Sequence, residues 1–192
     1  MSDLTKNRVH IPAPYTVASI LASAKLADDL PIEKLRGAKP FDGIAENAST
    51  PRLTFRIGPE RRHVTLFRNG TATIRGCGSI EEASGLLTEV KQMLSLLIEV
   101  QPGPVETVVQ NIVATHDVGR PIDLNLAQRG LSSEDVSYEP EQFPGLILRF
   151  PNKQTVVLIF STGKTVVTGV RSYRQLEETL KRTHRLLDLD ST

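Results

Sequence analysis

The feature that most constrains this chain is that it repeats itself. Shifted by 93 residues, Leu53, Arg56, Val64, Phe67, Gly70, Gly76, Ser79, Leu87 and Leu94 fall on Leu146, Arg149, Val157, Phe160, Gly163, Gly169, Ser172, Leu180 and Leu187. Upstream, Ile20 and Ala22 match Ile112 and Ala114 at an offset of 92. Pro31-Ile32-Glu33 matches Pro121-Ile122-Asp123 at 90, which places a short insertion in the first half near Ala27–Leu30. Constant spacing with drifting residue types marks an old duplication, so each half must be one folding unit of the same design. The predicted units are residues 1–101 and 105–192, joined by the linker Pro102-Gly103-Pro104.

Each half has the same order of elements. In the second, Glu106–Thr115 is rich in β-formers, and Pro121–Gly130 reads as a short helix with proline at its start. Ser137-Tyr138 precedes a proline-flanked turn, and Leu146–Phe150 is the next strand. Thr155–Phe160 and Lys164–Val170 form a hairpin around Ser161-Thr162-Gly163. Ser172 opens a helix, with Gln175 three residues on as a capping box. Tyr173, Leu176, Leu180, Thr183 and Leu187 line one face of that helix. The first half closes alike: Ser79 and Glu82 make the box, and Ile80, Ala83, Leu87, Val90, Leu94 and Leu97 make the stripe. Strand, helix, strands and long helix, twice over, is an α+β pattern.

One stretch carries information about function. Strand residues alternate between faces, so in Thr155-Val156-Val157-Leu158-Ile159-Phe160 only Val157 and Ile159 can face the helices. Val156, Leu158 and Phe160 point away, and Val166 and Thr168 of the next strand join them. An antiparallel sheet is normally polar on its open face, so an apolar strip there marks a surface that something else covers. The residues alone leave two candidates: a ligand, or a second layer from a partner or the other half.

Composition narrows the classes. Only Cys77 is present, so no internal disulfide can form and a reducing compartment is expected. The chain shows neither a leader pattern nor an apolar run long enough to span a bilayer, so a soluble intracellular protein is expected, with no membrane partner. The net charge is +1, with no large excess of basic residues in either half, so a nucleic-acid ligand would have to be held by a local cationic rim around an apolar face. An enzyme has little support. There is no phosphate loop, no nucleophile with a base and no paired acids, and hence no small-molecule substrate or cofactor to assign. The four histidines are scattered and suggest no metal site, and Cys77, between glycines at a strand end, reads as buried.

The run Tyr138-Glu139-Pro140-Glu141-Gln142-Phe143-Pro144-Gly145-Leu146-Ile147 has matched spacing from Arg149 to Phe160, Gly163-Lys164 and Thr168-Gly169. Over about residues 107–190 it is similar to the second repeat of TATA-box-binding proteins. Val109-Gln110-Asn111-Ile112-Val113 resembles that repeat's first strand. The resemblance implies two pseudo-symmetric repeats forming a saddle, with a curved antiparallel ten-stranded sheet and helices on the convex face. It also implies double-stranded, A·T-rich promoter DNA as ligand, bound in the minor groove and bent by phenylalanine wedges. Carried over residue by residue, Phe143 and Phe160 match a wedge pair, with Pro144 beside them. Asn111 and Thr168 match the central hydrogen-bonding positions. Val113, Val156, Leu158 and Val166 match apolar groove contacts, and Arg149, Lys164 and Arg171 a phosphate rim. Glu139, Glu141 and Gln142 lie on the loop that in the family meets transcription factor B, through which RNA polymerase is engaged indirectly.

The first half departs from this pattern. Phe67 matches one wedge and Arg56 the rim arginine, but Thr50 stands where the second wedge is expected. Ser19 replaces the asparagine, Leu21 the valine, Arg75 the threonine and Thr71 the hairpin lysine. His63, Thr65 and Thr73 replace apolar contacts, and Pro40–Pro51 does not resemble the loop. Arg75 has two readings, a reach to a groove acceptor or phosphate and a clash with close groove contact. Phe55 reads as core. Arg61, Arg62 and Arg68 form the most basic cluster, as solvated hairpin charges or as phosphate contacts. The expected function is a general transcription initiation factor. The alternative is a paralogue that acts as a protein-interaction or regulatory module with weak or no specific DNA binding. An archaeal-type, cytoplasmic, nucleoid-associated protein is expected from the resemblance, or a nuclear one in a eukaryote.

Overall fold

The computed structural model describes residues 15–36, 38, 41, 44–46, 52–100, 102–131, 133–151 and 154–187. Val17–Asn111 make one compact unit, and the chain from Ile112 onward, with Tyr15 and Thr16, makes the other. The first runs β1 (Thr16–Lys25), α1 (Ile32–Leu35), β2 (Ile44–Glu46), β3 (Arg52–Ile57), β4 (Arg62–Phe67), β5 (Thr71–Cys77) and α2 (Ile80–Ser95). The second repeats the order as β6 (Val108–Asp117), α3 (Leu124–Gly130), β7 (Asp135–Ser137), β8 (Gly145–Arg149), β9 (Val156–Phe160), β10 (Lys164–Val170) and α4 (Tyr173–Leu186). The strand orders correspond, β2-β3-β4-β5-β1 in the first unit and β6-β10-β9-β8-β7 in the second, antiparallel throughout.

The long helices form where capping and periodicity agree. Ser79 Oγ accepts from the Glu82 N–H at 3.0 Å, and Ser172 Oγ from the Gln175 N–H at 3.1 Å. The Glu82 carboxylate closes the expected box on the Ser79 N–H and takes a further bond from the Gly78 N–H at 2.7 Å, while Gln175 accepts from the Arg171 N–H, one residue before its cap, at 2.9 Å. The helices then bury one stripe each on their sheets. Ala83, Leu87, Val90 and Leu94 are fully buried, as are Leu53, Val64, Leu66 and Ile74 of the first sheet. Leu176 and Leu180 are buried likewise, as are Leu146, Val157, Ile159 and Val167 of the second. Leu97 does not join the stripe: α2 ends at Ser95, and the leucine two residues on is 43% exposed.

Other boundaries moved for local reasons. The expected helix at Pro121–Gly130 begins only at Leu124, because Asp123 caps it by accepting from the Asn125 and Leu126 N–H groups at 2.9 and 3.0 Å. The edge strand β7 has too short a run to show periodicity, yet it pairs with β8 through Val136 and Leu148. Phe55 is core as expected: it is 7% exposed and meets Phe41 edge-on at 5.0 Å.

Candidate nucleic-acid interface

In the second unit, alternation sends Leu146, Leu148, Val157, Ile159, Val167 and Val170 to the helices, all of them buried. Their neighbours stand on the opposite, partly exposed face. Pairing then sets those neighbours in rows. Ile147, Leu158, Val166 and Thr115 follow one another across four strands, and Arg149, Val156 and Thr168 form the next row. Asn111 and Val113 continue the same face on β6, partly exposed. The strip expected from the sequence is therefore present, and among the described residues of its unit it stays partly exposed. Ile147 and Thr115 belong to it as well; the β8 and β6 registers that place them are not legible in one strand alone.

A phenylalanine pair closes one end of the strip. Gly145 is cross-strand from Phe160, and the Phe143 ring meets the Phe160 ring edge to face, with centroids 5.9 Å apart and planes at 63°. Both rings are partly exposed, in a geometry aromatic pairs favour. Gly145 makes this possible. A Cβ there would lie 2.7 Å from one Phe143 ring carbon and 3.1 Å from one of Phe160. Pro144 is exposed beside the rings and, with Phe160, Val166, Thr115 and Lys164, lines an open hollow of about 590 Å³.

The cations stand at the margins. Lys164 opens β10, Arg171 follows its end, and both are exposed. Arg149 ends β8 and lies 3.8 Å from the exposed Asp135 carboxylate. Such an exposed pair is weak enough to exchange for another anion. Glu139, Glu141 and Gln142 are exposed on the loop before Phe143. That loop is held by the Glu139 carbonyl, which accepts from the Gln142 and Phe143 N–H groups at 2.9 and 3.0 Å.

The equivalent face of the first unit is chemically different. Arg56, His63, Arg75 and Leu21 make one row, and Thr54, Thr65, Thr73 and Ser23 the next. Phe67 is partly exposed and lies opposite Arg52; Thr50 and most of Pro40–Pro51 lie outside the described residues. Burial first, then the neighbouring Arg56 and Arg75 charges, hold the His63 imidazole below its ordinary pKa. The basic cluster read from the sequence does not hold together. Arg62 donates to the Glu82 carboxylate at 2.7 Å, at the start of α2, which leaves only Arg61 and Arg68 as solvated hairpin charges. Burial alone would raise the Glu82 carboxyl; hydrogen bonds from Arg62 and the Gly78 N–H outweigh it and hold the group below its usual range.

Cys77 is buried, and burial, reinforced by Glu82 and opposed by Arg62, pushes its thiol up to about 11, so it is not a ready nucleophile. Among the described residues no three potential ligands cluster as a metal site, and no helix is long and apolar enough to cross a membrane.

These features define a class: a duplicated α+β protein whose distinguishing surface is a bare sheet face edged by aromatic rings and cations. Comparison with known proteins makes this specific. Residues 106–189 match the family described as "Transcription factor TFIID (or TATA-binding protein, TBP)". The chain is 35% identical to the TATA-box-binding protein of Methanothrix thermoacetophila, over 84% of this chain and 88% of the relative. It is also 35% identical to that of Archaeoglobus fulgidus, over 86% and 90%. The structure of Methanococcus jannaschii TBP superposes with a TM-score of 0.78 at 28% identity, covering 93% of this chain and 99% of that one. The chain belongs to the TATA-box-binding protein family, and its α+β fold is the family's.

Proposed function

We propose that the chain binds A·T-rich duplex DNA through the minor groove and bends it by wedging Phe143 and Phe160 between base steps, as an initiation factor of the archaeal type acting in the cytoplasm. The observation that carries this reading is the phenylalanine pair at the end of a bare apolar strip. A·T pairs expose only acceptors in the minor groove, so Val113, Val156, Leu158 and Val166 can lie against its floor without stranding a donor. Asn111 and Thr168 supply the polar contacts, and Arg149, Lys164 and Arg171 meet phosphates. Phe67, Arg56 and Arg75 are the first unit's contribution. A lone ring unstacks a step less than a pair does, so the second unit does most of the bending.

Transcription factor B is the proposed protein partner, held at the exposed Glu139, Glu141 and Gln142, with RNA polymerase engaged through it. The test is a gel-shift titration of TATA-containing and scrambled duplexes, with and without factor B. Phe143→Ala/Phe160→Ala is expected to abolish sequence preference, and Glu139→Lys/Glu141→Lys to weaken only the ternary complex. Factor B binding without any preference for the TATA duplex would favour an interaction module instead.

A further inference from the structure

The two units present the same grid of positions with opposite chemistry. Where the second unit has Ile147, Leu158 and Val166 in one row, the first has Thr54, Thr65 and Thr73 in register. Their opposite-face neighbours Leu53, Val64, Leu66, Ala72 and Ile74 are fully buried, so these hydroxyls stand on the open face. Thr54 Oγ1 and Thr65 Oγ1 lie 3.3 Å apart, one hydroxyl donating to the other, which leaves an acceptor lone pair on both and one O–H free. In the next row Val156 and Thr168 give way to His63 and Arg75 beside Arg56. Neither guanidinium has an ion-pair partner among the described residues.

A G·C pair differs from A·T in the minor groove by the guanine 2-amino group, a donor that projects from the floor. Against Ile147, Leu158 and Val166 that donor would lose water and find no acceptor, which is the costly case. A threonine hydroxyl rotates. It donates to adenine N3 or thymine O2 and accepts from the guanine amino group, and so does not discriminate between them.

We infer that the first unit's face accepts G·C pairs in the minor groove, whereas the second unit's face demands A·T, so the chain reads an asymmetric site of one strict and one permissive half. This rests on the minor-groove reading proposed above. Arg56 and Arg75 flank the hydroxyl row and supply phosphate contacts that carry no base preference.

The test uses the full chain and 16-base-pair probes (about one and a half turns of B-DNA) with G·C pairs in neither, one or both halves of an A·T core. Because the protein can bind in either orientation, the G·C half of a singly substituted probe can always face the first unit. Affinity for that probe is expected within about threefold of the A·T probe. The doubly substituted probe is expected to lose about tenfold or more. Replacing guanine by inosine, which lacks the 2-amino group, is expected to restore the doubly substituted probe. In Thr54→Val/Thr65→Val/Thr73→Val, the ratio of singly substituted to A·T affinity is expected to fall about tenfold. If the singly substituted probe already loses tenfold with the wild type, if inosine restores nothing, or if the variant's ratio is unchanged, the inference is overturned while the minor-groove reading stands. Failure to bind the A·T probe at all overturns that reading instead.

Discussion

Gly169→Ala is expected to be among the most destabilising single-methyl additions to this protein. Gly169 lies where the β6–β10 register shifts, directly after Thr168, with φ +80°. A Cβ there would lie 1.8 Å from the Gln154 carbonyl oxygen and 2.5 Å from its carbon. Even a weak C–H···O contact needs about 3.3 Å, so backbone must move by more than an ångström. Left-handed backbone costs an L-residue about 1–2 kcal/mol, and overpacking adds about 1–3 kcal/mol. Gly119→Ala separates the two effects. Gly119 has φ +78° in the same unit, but nothing lies within 4 Å of its added Cβ, so only the backbone cost applies. In urea, with a slope of about 1–3 kcal/mol/M, Gly169→Ala should lower the midpoint by about 1–2 M. Gly119→Ala should lower it by about 0.5–1 M. Coincident midpoints for the two variants would refute the reasoning, because they would mean that the close approach of Gln154 costs nothing.

Three further outcomes are expected. His116 and His184 are 4% and 3% exposed, with Nε2 atoms 2.7 Å apart. Burial, then His184, hold the His116 imidazole below its ordinary pKa against an opposing pull from Asp117. Its folded pKa is thus below the unfolded value of about 6.5. Stability should be full above pH 6.5 and fall as pH drops from there towards the folded pKa, because only the unfolded state takes the proton. Urea midpoints between pH 7.5 and 5.5 should show the loss, and His116→Phe should flatten it. Lys164→Ala should reduce the slope of log affinity against log salt for a TATA duplex by about 0.9, the share of one phosphate contact; an unchanged slope would remove Lys164 from the rim. Arg62→Met should cost about 1 kcal/mol of stability through its partly buried bond to Glu82, yet leave the salt slope unchanged, since that guanidinium is already committed to a carboxylate.

What was legible in the sequence was local or periodic. The serine caps, the X-X-Gly hairpins and the apolar stripes each depend on residues within a few positions of one another, and all formed nearly where the spacing placed them. The duplication did more: it set the family's frame even where the first unit carries threonines, His63 and Arg75 in place of the second unit's apolar side chains and Thr168. The misses share a cause. The Gln175 bond fell on Arg171 in place of Ser172, β7 was too short for a period to register, and Leu97 continued a stripe that its helix did not reach.

The sequence by itself determined the order of elements in each repeat and the side chains available on each strand face, because alternation and capping are properties of the chain alone; the compact units divide within β6, after Asn111, and not at the linker 102–104. Only the tertiary structure decided which of those side chains become neighbours. Strand register put Ile147 beside Leu158 and Thr54 beside Thr65. Packing of helix against sheet drew Arg62 to Glu82 and His116 to His184. Those pairings form when hydrogen-bonded ladders and buried surfaces bring distant segments together, so no single stretch of chain encodes them.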